Sequence, residues 1–275
     1  MQDKLVLYET RDKVGIITLN RPEKLNALSK PLRQQLVQAF AEADADESTC
    51  VVVLRAAGRS FCVGFDITGG EPEKDPWRHD TLKWHETLTA GIQFQMTPWY
   101  MRKPVIASVQ GYAVGGGCEL AMFCDLTLAA DDAKFGEPEV RFAEAGPALV
   151  MPFIIGQKRA RELLYFGDMI TARQALDFGM INRVVAKDEL ESYTLDYARR
   201  LALVGPQALQ AVKQALTRSA DISGFRSGIQ AGLDAVAPLY AAKTEAGGKF
   251  VEIARTQGLK AALKWRNGQF DEISI

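Results

Sequence analysis

The stretch from residue 105 to residue 124 narrows the fold more than any other. Val105–Val109 is a continuous apolar run, the pattern of a strand buried on both faces. It is followed by Val114-Gly115-Gly116-Gly117-Cys118-Glu119, and residues 118–124 carry a helical pattern. A buried strand that passes through glycines into a helix belongs to a mixed α/β core. Glycine lets another group approach the backbone closely, and a helix start leaves N–H groups without intrahelical partners. Such donors suit a carbonyl oxygen that gains negative charge. Glu119 lies about one helical turn past Gly116 and is placed to reach the same pocket. The same glycines would also serve a tight strand–helix junction, so this stretch alone leaves packing and chemistry equally open.

Around it, residues 5–8, 14–20, 51–55, Leu126–Ala130 and 181–185 read as strands. Ser29 is a cap, with Pro31 in the first turn of a helix to about residue 43. Leu82, His85, Leu88, Ile92 and Met96 predict a helix over 81–101. Residues 68–79, rich in Gly, Pro and charge, predict a surface loop. Gln157–Phe166 is helical and stops at Gly167, and Thr171 caps a helix that stops at Gly179. Beyond Glu189 only helical patterns remain, with Pro206 opening one and Gly258 separating two others. The predicted organisation is an α/β core, residues 1–200, carrying binding and catalysis. A helical C-terminal part, 201–275, is too thin to bury a core alone and should pack on the first or on a neighbouring subunit.

Composition removes several function classes. A net charge of −1, with lysines and arginines scattered, lacks the basic footprint of a nucleic-acid binder. The four cysteines match no zinc spacing and read as small buried thiols in a reducing compartment. His79 and His85 share one segment and make a poor basis for a metal site or a Ser-His-Asp triad, so no metal is expected and carboxylates are the expected proton handlers. No apolar run reaches the ~18 residues of a membrane helix, and the N-terminus enters a strand pattern at once. The expected location is the cytoplasm, with no membrane partner.

Two further segments carry chemistry. Phe61-Cys62-Val63-Gly64-Phe65-Asp66-Ile67 also follows a buried strand and a turn, and can supply a second N–H donor. In Phe135-Gly136-Glu137-Pro138-Glu139-Val140, Glu139 sits between prolyl and apolar neighbours; a partly dry pocket would raise its pKa towards neutrality. Glu137 reads as a solvated acid.

Together with Asn20-Arg21-Pro22, Asn26-Ala27-Leu28 and Lys103-Pro104-Val105-Ile106-Ala107, these segments stand in the order found in the enoyl-CoA hydratase/isomerase (crotonase) superfamily, which the chain resembles from about Val14 to Phe270. The resemblance implies an α/β fold, a crotonase-like spiral of repeated ββα units with a helical C-terminal trimerisation part, assembled as a homotrimer or a hexamer. It implies an oxyanion hole from the Phe65 and Gly116 N–H groups, and Glu119 and Glu139 as catalytic carboxylates. Retention of both favours hydration of a 2-enoyl-CoA thioester. Glu119 is expected to activate the water and Glu139 to protonate Cα, although the residues alone leave that division open. Substrate binding is expected from Lys24, Phe65, Asp66, Ile67, Thr68 and Gly116, with the Phe65 side chain suiting an apolar or cyclic acyl group. No metal or redox cofactor is implied; coenzyme A is part of the acyl-CoA substrate. The nearest rival is an isomerase or another lyase on this fold. A non-catalytic scaffold or RNA-binding member is disfavoured by the charge and by the two glutamates. Two departures bear on the substrate. Ala145-Gly146-Pro147-Ala148-Leu149-Val150-Met151-Pro152-Phe153 replaces a Pro-Gly-x-Gly-Gly-Thr-Gln-Arg-Leu stretch near the acyl end, and Trp265 stands where a CoA-contacting lysine is common, leaving Lys264 or Arg266 to substitute.

Overall fold

The computed structural model describes residues 4–67, 76–242 and 244–270. Its main sheet is made from the apolar runs. β1 (Val6–Arg11) and β2 (Val14–Leu19) form a hairpin about Asp12 and Lys13, both at positive φ. β2 pairs in parallel with β3 (Val51–Ala56), and β3 with β4 (Val105–Val109). After β5 (Tyr112–Val114), β6 (Leu126–Ala130) pairs with β4. A second, three-stranded layer holds β5, β7 (Lys134–Gly136) and β8 (Ile170–Thr171), and β9 (Arg183–Val185) closes the main sheet beside β6.

Alternation decides what each face of the main sheet meets. Ile17, Leu19, Val52, Leu54, Val105 and Ala107 join the principal core. Val14, Ile16, Val51, Val53 and Ile106 face the other way, against Leu190, Leu195 and Ala198. Both faces are therefore covered, which is why these strands read as unbroken apolar runs.

The helices follow from local signals. α1 (Lys30–Ala45) starts where the Ser29 hydroxyl accepts from Leu32 N. The single helix expected over 81–101 is instead α2 (Thr81–Gln95) and α3 (Thr97–Tyr100). Pro98 has no N–H for the Phe94 carbonyl and its ring crowds that turn; the Thr97 hydroxyl donates to Phe94 O instead, at 2.7 Å. α4 (Gly116–Phe123) begins two residues earlier than expected, which makes Gly116 its first residue. α5 (Met151–Ile155) and α6 (Gln157–Phe166) precede β8, and α7 (Ala172–Asp177) follows it with the full Thr171–Gln174 capping box.

Beyond β9 the described residues are helical: α8 (Leu190–Ala202), α9 (Pro206–Ile222), α10 (Phe225–Ala241), α11 (Glu245–Gln257) and α12 (Leu259–Gly268). α8 covers the outer sheet face. α10 sends Phe225, Ile229 and Leu233 into the principal core, while Phe250 of α11 and Ala262 of α12 pack on Phe142.

The spiral is visible in the order of the elements. β3 leads to a one-residue bridge of Cys62 onto Ala113 and then to α2; β4 leads to β5 and then to α4. β6 leads to β7 and a 3-10 turn, Pro138–Phe142. Each pass adds a strand to the main sheet and a short strand or bridge to the second layer, and then turns into a helix or a 3-10 turn. This is the repeated ββα build.

Asn26 fastens the early loops to this frame. It is fully buried at positive φ; its side chain accepts from Arg21 N at 2.8 Å and donates to Ala57 O and Ser60 O, each at 2.9 Å. Asn26→Ala would strand one donor and two acceptors in the interior. We expect a loss of about 3 kcal/mol in urea-unfolding free energy; a change below about 1 kcal/mol would show that solvent or rearrangement satisfies those groups.

Candidate active site

Two backbone segments are pressed together at the start of α4. Leu28 N donates to Gly64 O at 2.8 Å, and Leu28 bridges Phe65. Cys62 N donates to Tyr112 O and Val114 N to Cys62 O, both at 2.9 Å. The segment 61–65 is thereby laid along β5 and ends beside Gly116. A Cβ on Gly64, at φ +91°, would stand 3.3 Å from Gly116 N; one on Gly116 would stand 2.8 Å from the Phe65 ring; one on Gly117 would overlap the Cys62 carbonyl. Glycine is required here by close backbone approach. Gly116 is the first residue of α4, so its N–H lies outside the helical ladder. Among the described residues, neither the Phe65 nor the Gly116 N–H donates to a protein acceptor.

The two predicted carboxylates flank this junction. Glu119, in the first turn of α4, is fully buried. Its Oε2 accepts from Gln95 Nε2 at 2.5 Å and its Oε1 from Ala148 N at 3.1 Å; the Gln95 amide also donates to Gly116 O. Glu139 comes from the Pro138–Phe142 turn. A Cβ on Gly115 would overlap its Oε1, and its Oε2 is buried with no partner among the described residues.

Glu137, expected to be solvated, is only 3% exposed. The bond from Gly115 N to Gly136 O draws the end of β7 under α4, and Pro138 fixes the turn that follows, so both Glu137 and Glu139 enter the interior. Glu144 enters the same region, its N–H held by Glu139 O.

The expected binding residues are more dispersed. Lys24 lies exposed in the 3-10 turn Pro22–Lys24. The Asp66 carboxylate pairs with Arg21 at 2.6 Å, and Ile67 is 53% exposed. Thr68 lies outside the described residues. The Phe65 ring packs on Gly116 and Gly91, with the Arg33 guanidinium 5.3 Å from its centroid. Of the two proposed substitutes for a lysine at Trp265, Lys264 is exposed, while Arg266 is partly buried, lies over the Phe142 ring and acts on Glu139.

The sequence did not point to Gln95, Ala148 or Tyr240. Tyr240 of α10 donates to Ala145 O at 2.6 Å, close to the carboxylates. For Gln95 a signal existed: it continues the Leu88–Ile92 stripe of α2, and a polar residue on the buried side of a helix needs a partner.

Burial dominates the electrostatics. It pushes Glu139 up to about 7, against its own backbone N–H and the Arg266 charge, and Glu144 to about 7 with Glu139 adding to the rise. Glu119 and Glu137 are also raised, first by burial and then by neighbouring carboxylates. Glu119 reaches about 8 even though Gln95 and Ala148 pull it down, so the group carries fewer charges than carboxyls near neutrality. Two unengaged N–H donors thus stand beside one carboxylate able to accept a proton and another able to give one.

A raised carboxyl pKa weakens folding at high pH. The folded chain holds a proton on Glu139 that the unfolded chain releases above its ordinary value of 4.5, so stability present at acid pH is lost as pH rises from there through about 7. We expect Glu139→Gln to exceed the wild type in unfolding free energy at pH 8, by roughly 1–3 kcal/mol, with no gain near pH 5. Equal differences at both pH values would show that Glu139 titrates normally.

With this geometry in hand, known proteins provide the comparison. Residues 9–252 match the family described as enoyl-CoA hydratase/isomerase. A probable enoyl-CoA hydratase of Rhizobium meliloti (strain 1021) is 36% identical over 81% of this chain and 85% of its own length. The (E)-benzylidenesuccinyl-CoA hydratase of Thauera aromatica is 35% identical over 79% and 84%. The crystal structure of an enoyl-CoA hydratase/isomerase from Xanthobacter autotrophicus Py2 superposes with a TM-score of 0.90 at 35% identity, covering 96% of this chain and 98% of that one. The chain belongs to the enoyl-CoA hydratase/isomerase family.

Proposed function

We propose that this enzyme is an enoyl-CoA hydratase, adding water reversibly to the double bond of a 2-enoyl-CoA thioester to give the 3-hydroxyacyl-CoA. The observation that carries the reading is the pair Glu119 and Glu139 on either side of the Phe65–Gly116 junction. The thioester oxygen accepts from the Phe65 and Gly116 N–H groups. Glu119, whose ionised form the Gln95 and Ala148 N–H groups favour, takes a proton from water as the water oxygen bonds to Cβ. The π electrons move onto the thioester oxygen, where the two N–H groups stabilise the enolate. As the enolate collapses, Glu139 gives its proton to Cα. Glu119 then releases its proton and Glu139 regains one. Backbone donors cannot be deleted by ordinary side-chain exchange, although a side chain at Gly64, Gly116 or Gly117 would disturb their placement.

The reaction needs no metal or redox cofactor, and coenzyme A enters with the substrate. Residues 65–68 would hold the thioester and Lys24 the CoA phosphates. The Phe65 ring, against Gly91 and Gly116, bounds the acyl space and favours a flat or compact acyl group. The reading includes a homotrimer or a hexamer of two trimers, supported by the apolar Leu203, Val204, Leu216 and Ile222 left exposed around α9. It also includes a cytoplasmic location, supported by four buried free thiols.

The test is loss of enoyl-thioester absorbance with a panel of short, long, branched and cyclic 2-enoyl-CoA esters, and 3-enoyl esters to detect isomerisation. We expect hydration of at least one class. Glu119→Gln and Glu139→Gln should each lower kcat by about 10²–10⁴-fold with circular dichroism unchanged. No hydration across the panel would overturn the reading; full activity in either variant would overturn that residue's role.

A further inference from the structure

The proposed reaction gives Glu137 no task, yet Glu137 is buried more deeply than Glu139. Its Oε2 is enclosed and has no hydrogen-bond partner among the described residues. An acceptor oxygen in that position is costly unless it carries a proton or meets one. The oxygen points into a notch over Gly146: a Cβ on Gly146 would overlap it and would stand 2.8 Å from Glu119 Oε1. Any side chain at 146 would fill the notch, so glycine there lets the two carboxyls face each other. Glu119 has N–H donors on both oxygens, from Gln95 and Ala148. Two carboxyls bordering one buried notch do not readily both ionise, and between these two the N–H donors favour the charge on Glu119.

We propose that Glu137 is a positioning residue for Glu119, retaining its own proton and presenting it to Glu119 Oε1 across the Gly146 notch, so that Glu119 stays ionised and aimed. This rests on Glu119 being the base of the reaction above. The surroundings act in one direction. Burial, Glu119 and Glu139 all push Glu137 well above the ordinary carboxylate range. Cys118, on α4, is a thiol raised well above its usual value by burial and Glu137. Glu144 is itself raised, and Tyr240 of α10 is neutral. The nearby cations act elsewhere, Arg266 of α12 on Glu139 and Arg78 on Glu144. No bond to another group forms or breaks in this role; the proton remains on Glu137 throughout.

The experiment compares Glu137→Leu with Glu137→Gln in the pH dependence of kcat/KM. Leucine removes the donor, so the acid limb, where Glu119 becomes protonated, should move up by about one pH unit or more. Glutamine still donates from its amide and should return the limb close to its wild-type position. A limb that stays put in Glu137→Leu marks a merely structural residue, and one that moves down in both variants marks an ionised Glu137; either overturns the proposal. Infrared spectra at pH 7 read the proton without turnover, and the glutamine variant suffices if the leucine variant does not fold. The wild type should show a protonated-carboxyl C=O band that Glu137→Gln lacks, and identical spectra in that region would overturn the proposal. Failure of the hydratase reading would appear separately, as a wild type that hydrates none of the esters, and the infrared comparison would still decide the state of Glu137.

Discussion

Everything at the candidate site depends on how closely two stretches of backbone approach each other. Cys62 to Phe65 runs beside Val114 to Gly117 with no side chain between them, because Gly64, Gly116 and Gly117 offer none. The contact is reinforced from outside. Leu28 holds Gly64, and Asn26 holds the turn that leads into Ser60. Widening it would separate the Phe65 and Gly116 N–H groups, draw Glu119 away with α4, and loosen Gly115 from Glu139. The site therefore inherits the rigidity of a buried parallel sheet, although its donors lie on loops and at a helix start.

The second constraint is electrostatic. Glu119, Glu137, Glu139 and Glu144 enter one poorly hydrated region, and burial is the largest influence on each. Gln95 and Ala148 favour the ionised form of Glu119 without placing a cation beside it, and they offset only part of its burial. Arg266 acts on Glu139 from farther off and only partly offsets burial. The same burial that raises these groups towards neutral pH lowers the stability of the fold there, a conflict expected where a site desolvates charge.

The sheet was legible in the sequence because strands covered on both faces must be apolar throughout, as Val14–Leu19 and Val105–Val109 are. Caps with a single chemical meaning, Ser29 and Thr171, were legible for the same reason. The break at Pro98 was missed because the apolar stripe of α2 runs without a gap up to Met96, at the very edge of the break. At the site, Glu119 and Glu139 could be placed through their motif neighbours. Glu137 was misread as solvated because a carboxylate between Gly136 and Pro138 has no local mark of burial; what buries it is the Gly115–Gly136 bond, a contact between distant segments. Gln95 and Ala148 meet Glu119 from more than twenty residues away in each case, and no spacing rule reaches that far.

The altered stretch 145–153 can be understood in these terms. Its residues meet the buried carboxyls directly. Gly146 leaves the notch between Glu137 and Glu119, Ala148 supplies a donor to Glu119, and the Ala145 carbonyl anchors Tyr240. Changing this loop thus changes the hydrogen bonding of Glu119, and a side chain at position 146 would press on the Glu137 and Glu119 carboxyls. Helices α10 and α12 complete the enclosure by bringing Tyr240 and Arg266 over the same carboxylates, so the C-terminal helices are part of the site's dielectric environment. The proton affinity of Glu119 is therefore tied to residues 145–148, and a change in that loop must also retune Glu119.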